Sequence, residues 1–144
     1  MKIVNRRAKF NYKLLEKYEA GIILSGAEVK ALKKGSADIS QTYAKIVEGE
    51  VWLINANIPV VGKKNYNPTR TRKLLLHKKE IISILSKIKA KKLTIVATKV
   101  YNRKRLIKVE LALAKTKKQF EKKAVLRKRD IEREIEQELK NREN

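Results

Sequence analysis

The 144-residue sequence predicts a mainly β domain with interleaved helices, an OB-like closed antiparallel β-barrel, followed by a basic C-terminal tail. Three observations predict it. Apolar residues alternate with a period of two in several short stretches, as half-buried strands require. Two stretches between them switch to helical spacing. The alternation then stops after Ala114: from Lys115 to Arg129 there are eight Lys or Arg and one acid, Glu121. Short antiparallel strands interrupted by a helix suit a small barrel, because closure removes exposed edges. The expected division is a basic arm over residues 1–10, the barrel over 11–115 and the tail over 116–144.

Residues 1–10 carry Arg6 and Arg7 and are expected to be mobile until they meet a partner. Tyr12 to Leu24 predicts a long first strand, bent near Gly21, where glycine tolerates a bulge or a close backbone approach. Ser25 followed by Glu28 fits a capping box, opening a short helix with Val29 and Leu32 inward and Gly35 as its left-handed stop. Tyr43 to Val47 and Val51 to Ile58 predict a hairpin turning at Glu48-Gly49, and Pro59 ends it. Gly62 to Lys73 is a polar, cationic loop, followed by the apolar run Leu74-Leu75-Leu76. Ile81, Ile84, Leu85 and Ile88 fall at i, i+3, i+4 and i+7 and predict a second helix over about Lys78 to Lys89. Leu93 to Tyr101 and Leu106 to Ala114 predict two more strands joined by a basic link. In the tail, Ile131, Ile135 and Leu139 make a thin apolar line among Glu132, Glu134, Glu136 and Glu138. That stripe is too narrow to dock firmly, so the tail is expected to become helical when bound.

The formal charge is +22, from 37 Lys or Arg against 15 acids, and both body and tail are net positive. So basic a folded surface is best explained by a polyanionic partner. Arginine also clusters, at Arg6-Arg7, Arg70/Arg72 and Arg103/Arg105, which a general lysine bias would not produce. Such cations neutralise phosphates and release counterions. Tyr12, Tyr66, Tyr101 and Phe120 lie beside basic residues and read either as stacking platforms or as ordinary packing. Enzyme classes find little support. There is no cysteine, no Gly-rich phosphate loop, and one histidine, His77, with no partner ligand. The few acids of the body are scattered, against a two-metal site. No catalytic residue, metal or cofactor is expected. No apolar run approaches the roughly 18 residues of a membrane span, and early charges argue against a signal peptide, so a soluble, cytoplasmic protein is expected; it is also expected to be a monomer.

Several strings point to a family. Asn5-Arg6-Arg7-Ala8, Tyr18-Glu19-Ala20-Gly21-Ile22, Gly26-Ala27-Glu28-Val29-Lys30, Arg70-Thr71-Arg72-Lys73-Leu74-Leu75-Leu76-His77, Lys108-Val109-Glu110-Leu111-Ala112-Leu113-Ala114-Lys115 and Arg129-Asp130 occur in this order. The chain resembles the small protein B family, the bacterial tmRNA-binding (SsrA-binding) proteins, from Asn5 to about Glu134. The resemblance implies a non-enzymatic adaptor for trans-translation, the rescue of ribosomes stalled on messages without a usable stop codon. It implies that the barrel binds the tRNA-like domain of tmRNA. It implies that the tail enters the small-subunit decoding centre and the empty message channel as a helix. The family's RNA-contact positions correspond to Asn5, Glu19, Leu75 and Lys108, with Arg6 and Arg7 beside the first. For the tail the expected contacts are Lys117, Lys118, Phe120, Lys122, Lys123, Arg127, Lys128 and Arg129. A carboxylate at Glu19 suits RNA only if it accepts hydrogen bonds from a guanine edge or a 2′-hydroxyl; the alternative is a salt bridge to a lysine. Leu75 packs on a base or lies in the core. The tail departs from the family pattern: Thr116 stands where a glycine is usual, and Phe120 where His or Tyr is usual.

Overall fold

The structure is a computed structural model that describes residues 1–117 and 119–143, with side chains described at 1–117 and 129–141. Its elements in chain order are β1 (Lys2–Val4), α1 (Arg6–Asn11), β2 (Tyr12–Ile22), α2 (Gly26–Lys33), β3 (Tyr43–Val47), β4 (Glu50–Ile54), β5 (Arg72–Leu75), α3 (Lys78–Lys91), β6 (Thr94–Arg103), β7 (Leu106–Thr116) and α4 (Gln119–Glu143). The strands form one antiparallel sheet in the order β1-β6-β3-β4-β5-β2-β7, and β6 also pairs with β7. The protein is therefore mainly β with several helices.

The first ten residues correct the expected mobile arm. β1 pairs with β6, Lys2 opposite Tyr101 and Val4 opposite Lys99, and α1 follows at once. The small Ala8 lets α1 press onto Val96, Ala112 and Ala114, which form a second buried cluster on the sheet. That explains why β7 is apolar on both faces below Glu110: Val109, Leu111 and Leu113 fill the main core, while Ala112 and Ala114 lie under α1. A strand of three residues and a helix of six are too short to show a period.

β2 runs where the alternation predicts, but its irregularity lies between Leu14 and Lys17, not at Gly21. Gly21 is regularly paired, between Lys108 on β7 and Leu75 on β5. Its other expected role holds: a Cβ there would sit 3.3 Å from the Leu75 Cβ, tighter than an ordinary contact. The capping box of α2 forms as its spacing predicts. The Glu28 N–H donates to Ser25 Oγ at 3.3 Å and the Ser25 N–H to Glu28 Oε1 at 2.9 Å. Glu48 and Gly49 both adopt positive φ, 51° and 77°, the pattern of a type I′ hairpin turn. On β4, Val51 and Leu53 are buried while Trp52 and Ile54 are half-buried. In α3, Ile84 is fully buried and Ile81 and Ile88 pack against the core, but Leu85 stays 43% exposed. The buried face of α3 is thus narrower than its i, i+3, i+4, i+7 pattern. His77 lies just before α3, its N–H donating to Glu80 Oε1 at 3.3 Å. No described helix is long and apolar enough to cross a membrane.

Candidate nucleic-acid interface

Strand register builds the site. Residues in register across neighbouring strands share a face of a sheet, and side chains alternate along each strand. Leu75, Gly21, Lys108 and Tyr101 form one such row across β5, β2, β7 and β6, with Lys2 of β1 beyond Tyr101. Two residues along, Glu19, Glu110 and Lys99 form the next row on the same face. The intervening residues Ala20 and Val109 point into the core. So Glu19, Leu75 and Lys108, separated by up to 89 positions in the sequence, converge on one outward face.

Among the described residues Glu19 forms its salt bridge with Arg103 and not with a lysine, the alternative considered from the sequence. The Tyr101 hydroxyl donates to its Oε2, and Arg103 Nη1 lies 3.2 Å from both carboxylate oxygens. The Tyr101 hydrogen bond first, and Arg103 with it, hold the Glu19 carboxyl below its ordinary range against an opposing push from burial. Burial, reinforced by the Glu19 carboxylate, pushes the Tyr101 phenol up to about 12. Neutral Tyr101 is therefore a fixed donor and ionised Glu19 a fixed acceptor. Lys99 Nζ sits 5.3 Å from the Tyr101 ring centroid and 3.7 Å from Glu110 Oε1. Thr98 Oγ1 donates to Glu110 Oε2 at 2.6 Å. The second carboxylate is thus occupied, and Glu19 is the acid that faces outward beside Lys108. Leu75 is 52% exposed, so it is not core; its side chain leans against Gly21, with Cδ1 3.5 Å from where a Cβ would stand.

The remaining expected residues fall elsewhere. Asn5 is 2% exposed, and its amide is committed inside the protein. Nδ2 donates to the Ile39 and Ala97 carbonyls, each at 2.8 Å, and Oδ1 accepts from the Ala8 N–H at 3.1 Å. It caps α1 and pins that helix to β6. Arg6 and Arg7, next in sequence, are exposed on α1. Arg70 and Arg72, counted among the clustered arginines, have a structural task instead. Arg72 is fully buried, with Nε 2.6 Å from Glu28 Oε2 and Nη1 2.7 Å from the Ala56 carbonyl. Arg70 donates to both oxygens of Glu28. Tyr66 belongs to this cluster: its hydroxyl lies 2.7 Å from the Ile58 carbonyl oxygen and accepts from Arg72 Nη2 at 3.0 Å. Burial pushes the Glu28 carboxyl up, but the hydrogen bonds from Arg70, Ser25 and Arg72 outweigh it and bring it to about 2.

At the root of the tail, the Lys117 N–H donates to the Asn11 carbonyl at 3.0 Å and its Nζ to the Lys9 carbonyl at 3.0 Å. Arg129 is exposed on α4, as are Ile131, Ile135 and Leu139. Lys118 lies outside the described residues, as do the side chains of Phe120, Lys122, Lys123, Arg127 and Lys128. Among the described residues no group of His, Cys, Asp or Glu could hold a metal ion.

Sequence reasoning placed Tyr101 only as one of several aromatics beside cations, and Arg103 only as part of a cluster. The signal that joins them to Glu19 is register across two strand pairings, which no local spacing carries.

Comparison with known proteins gives a consistent result. A family model described as SmpB protein matches residues 2–141. An SsrA-binding protein of Sulfurihydrogenibium sp. strain YO3AOP1 is 45% identical over 141 residues, covering 96% of this chain and 93% of that protein. One of Thermosipho africanus strain TCF52B is 47% identical over 146 residues, covering 97% and 98%. A solved chain described as "tmRNA-SmpB: a journey to the center of the bacterial ribosome" superposes with a TM-score of 0.68 at 44% identity, covering 82% of this chain and 85% of that one.

Proposed function

This chain belongs to the SmpB protein family, and on that premise we propose that it is a non-catalytic, tmRNA-binding adaptor for trans-translation. The β body, residues 11–115 with the first ten docked on it, binds the tRNA-like domain of tmRNA. The tail, residues 116–144, occupies the decoding centre and the empty message channel of a stalled ribosome. The protein acts as a monomer in the cytoplasm and needs no cofactor.

The observation that carries this reading is the outward face on which Glu19, Leu75 and Lys108 meet, in a chain that matches the family over nearly its full length. Lysine beside an exposed apolar side chain and a fixed acceptor suits RNA, whose unstacked bases are bound by packing and by edge hydrogen bonds while phosphates meet cations. Asn5 contributes at one remove, by fixing the helix that presents Arg6 and Arg7. The body itself is read as an OB-like closed barrel. In support, the pairings lead from β6 through β3, β4, β5, β2 and β7 and return to β6. Thr116, where the family usually has glycine, stiffens the point where the tail leaves β7.

Competition at fixed salt tests the reading. The tRNA-like domain of tmRNA should displace a labelled copy of itself at far lower concentration than fragments of ribosomal RNA of equal length. Equal displacement by the ribosomal fragments would mean a general ribosomal-RNA binder. Cleavage or modification of the RNA during the assay would mean an enzyme.

A further inference from the structure

A carboxylate on an RNA-binding face is selective only if its geometry is fixed. Glu side chains are otherwise rotamer-rich, and ordering one on binding lowers affinity. Here the Tyr101 hydroxyl, two strands away, fixes Glu19 Oε2. Arg103 spans both oxygens at 3.2 Å but is itself 67% exposed, so an incoming ligand can displace it. An ionised carboxyl only accepts, through about four lone-pair sites. With Tyr101 on one of them and Arg103 displaced, enough remain to take two adjacent N–H donors.

Among base edges, the Watson–Crick edge of guanine presents two neighbouring donors, the ring N1–H and the exocyclic amine; the other bases do not pair donors in this way. The surroundings match a base. Gly21 lies on the same face as Glu19, two residues or about 7 Å along β2, and lines an open groove with Leu75 and Lys108. Leu75 flanks that opening, half-exposed, and Lys108 lies beside it on β7. A glycine inside a strand often marks such a close approach.

We propose that this face reads an unpaired guanine nucleotide, with Glu19 as acceptor, Tyr101 as the positioning residue that holds it, Gly21 beneath the base and Lys108 at the phosphate. The proposal rests on the RNA-binding reading above. Arg103 neutralises Glu19 before RNA arrives and moves to phosphate when the base replaces it. Glu110 takes no part, since Thr98 and Lys99 occupy it.

The test uses the full chain and two preparations of the tRNA-like domain of tmRNA, one with its unpaired guanines intact and one with inosine in their place. Inosine lacks the exocyclic amine and keeps the ring N–H. The wild-type protein should bind the guanine RNA about five- to a hundredfold more tightly. Tyr101→Phe keeps the ring and removes only the hydroxyl; it should bring that ratio close to one while thermal unfolding stays near wild type. Glu19→Gln, an exposed change, should do the same. Arg103→Gln should weaken both RNAs together and preserve the ratio. Equal wild-type binding of the two RNAs would overturn the guanine reading, and a full ratio in Tyr101→Phe would overturn the role of Tyr101. Failure of the wild type to bind even the guanine RNA would instead overturn the RNA-binding reading beneath it.

Discussion

Glu28 is fully buried, yet it accepts from Ser25, Arg70 and Arg72 and stays ionised. Unfolded, its carboxyl titrates near 4.5; folded, it titrates near 2. Its pKa is lowered by folding, so its stabilisation is fully present above about pH 4.5 and is lost as pH falls towards 2. The shift corresponds to roughly 3 kcal/mol. Glu28→Gln would leave the buried Arg72 guanidinium without a counter-charge. It should cost about 3–5 kcal/mol near neutral pH and remove the part of the acid sensitivity that Glu28 carries, as denaturant titrations near neutral pH and near pH 3 would read. Glu19→Gln is the contrasting case. Glu19 is exposed at the surface, so the fold should survive while affinity for the tRNA-like domain falls; unchanged or improved affinity would mean that Glu19 only balances Arg103. The sequence made the Ser25–Glu28 capping box legible because a cap is written in a four-residue spacing. It hid the second task of Glu28, because Arg70 and Arg72 reach it from a strand and loop over 40 positions away. Asn5 was placed among the RNA contacts by the family resemblance; in the structure its amide atoms are taken by Ile39, Ala97 and Ala8, a set of partners no local spacing carries.

Among the elements, α4 differs most from its neighbours. Its described side chains are exposed, and the line of Ile131, Ile135 and Leu139 is about half-exposed at each position. None of its described side chains belongs to the core. Removing everything after Lys115 should therefore leave a folded body that binds the tRNA-like domain within several-fold of the full chain, and almost no peptide tagging by stalled ribosomes. Charge and shape can be separated. Ile131→Pro with Ile135→Pro breaks the helix, at about 3 kcal/mol or more for each proline, and changes no charge. Tagging should collapse while RNA binding holds; tagging that survives both prolines would mean that the tail acts only as a polycation. Long strands and helices such as β2, α3 and β7 were legible because their periods repeat several times. β1 and α1 were not, since each holds too few residues for a period to emerge, and so an ordered segment read as a mobile arm. The bulge on β2 was misplaced for a related reason. Gly21 announces conformational freedom, but its missing side chain serves to let Leu75 pack against β2, while the register shift falls between Leu14 and Lys17.

At the scale of the whole molecule, a formal charge of +22 sets the partner class and the steepness of its salt dependence. If roughly six to ten phosphates are contacted, affinity for the tRNA-like domain should fall by about 10³–10⁵ between 50 and 200 mM salt; a flat profile in a filter-binding series would place recognition off the basic surface. The charge was legible at once, but its distribution was not. Arg70 and Arg72 are turned inward to Glu28, so the arginine clustering that suggested a polyanion overstates the contacts available. What brings Glu19, Leu75 and Lys108 together is the pairing of β5, β2 and β7, a long-range property that alternation along one strand cannot express. The central claim is that this assembled face selects tmRNA from all the RNA in a cell, and it is tested most directly by recovering the protein from cells under gentle salt and sequencing the RNA that accompanies it. The RNA recovered should be enriched in tmRNA far above its cellular share, with ribosomal RNA following only where whole ribosomes are retained. Recovery of ribosomal RNA without tmRNA would contradict it.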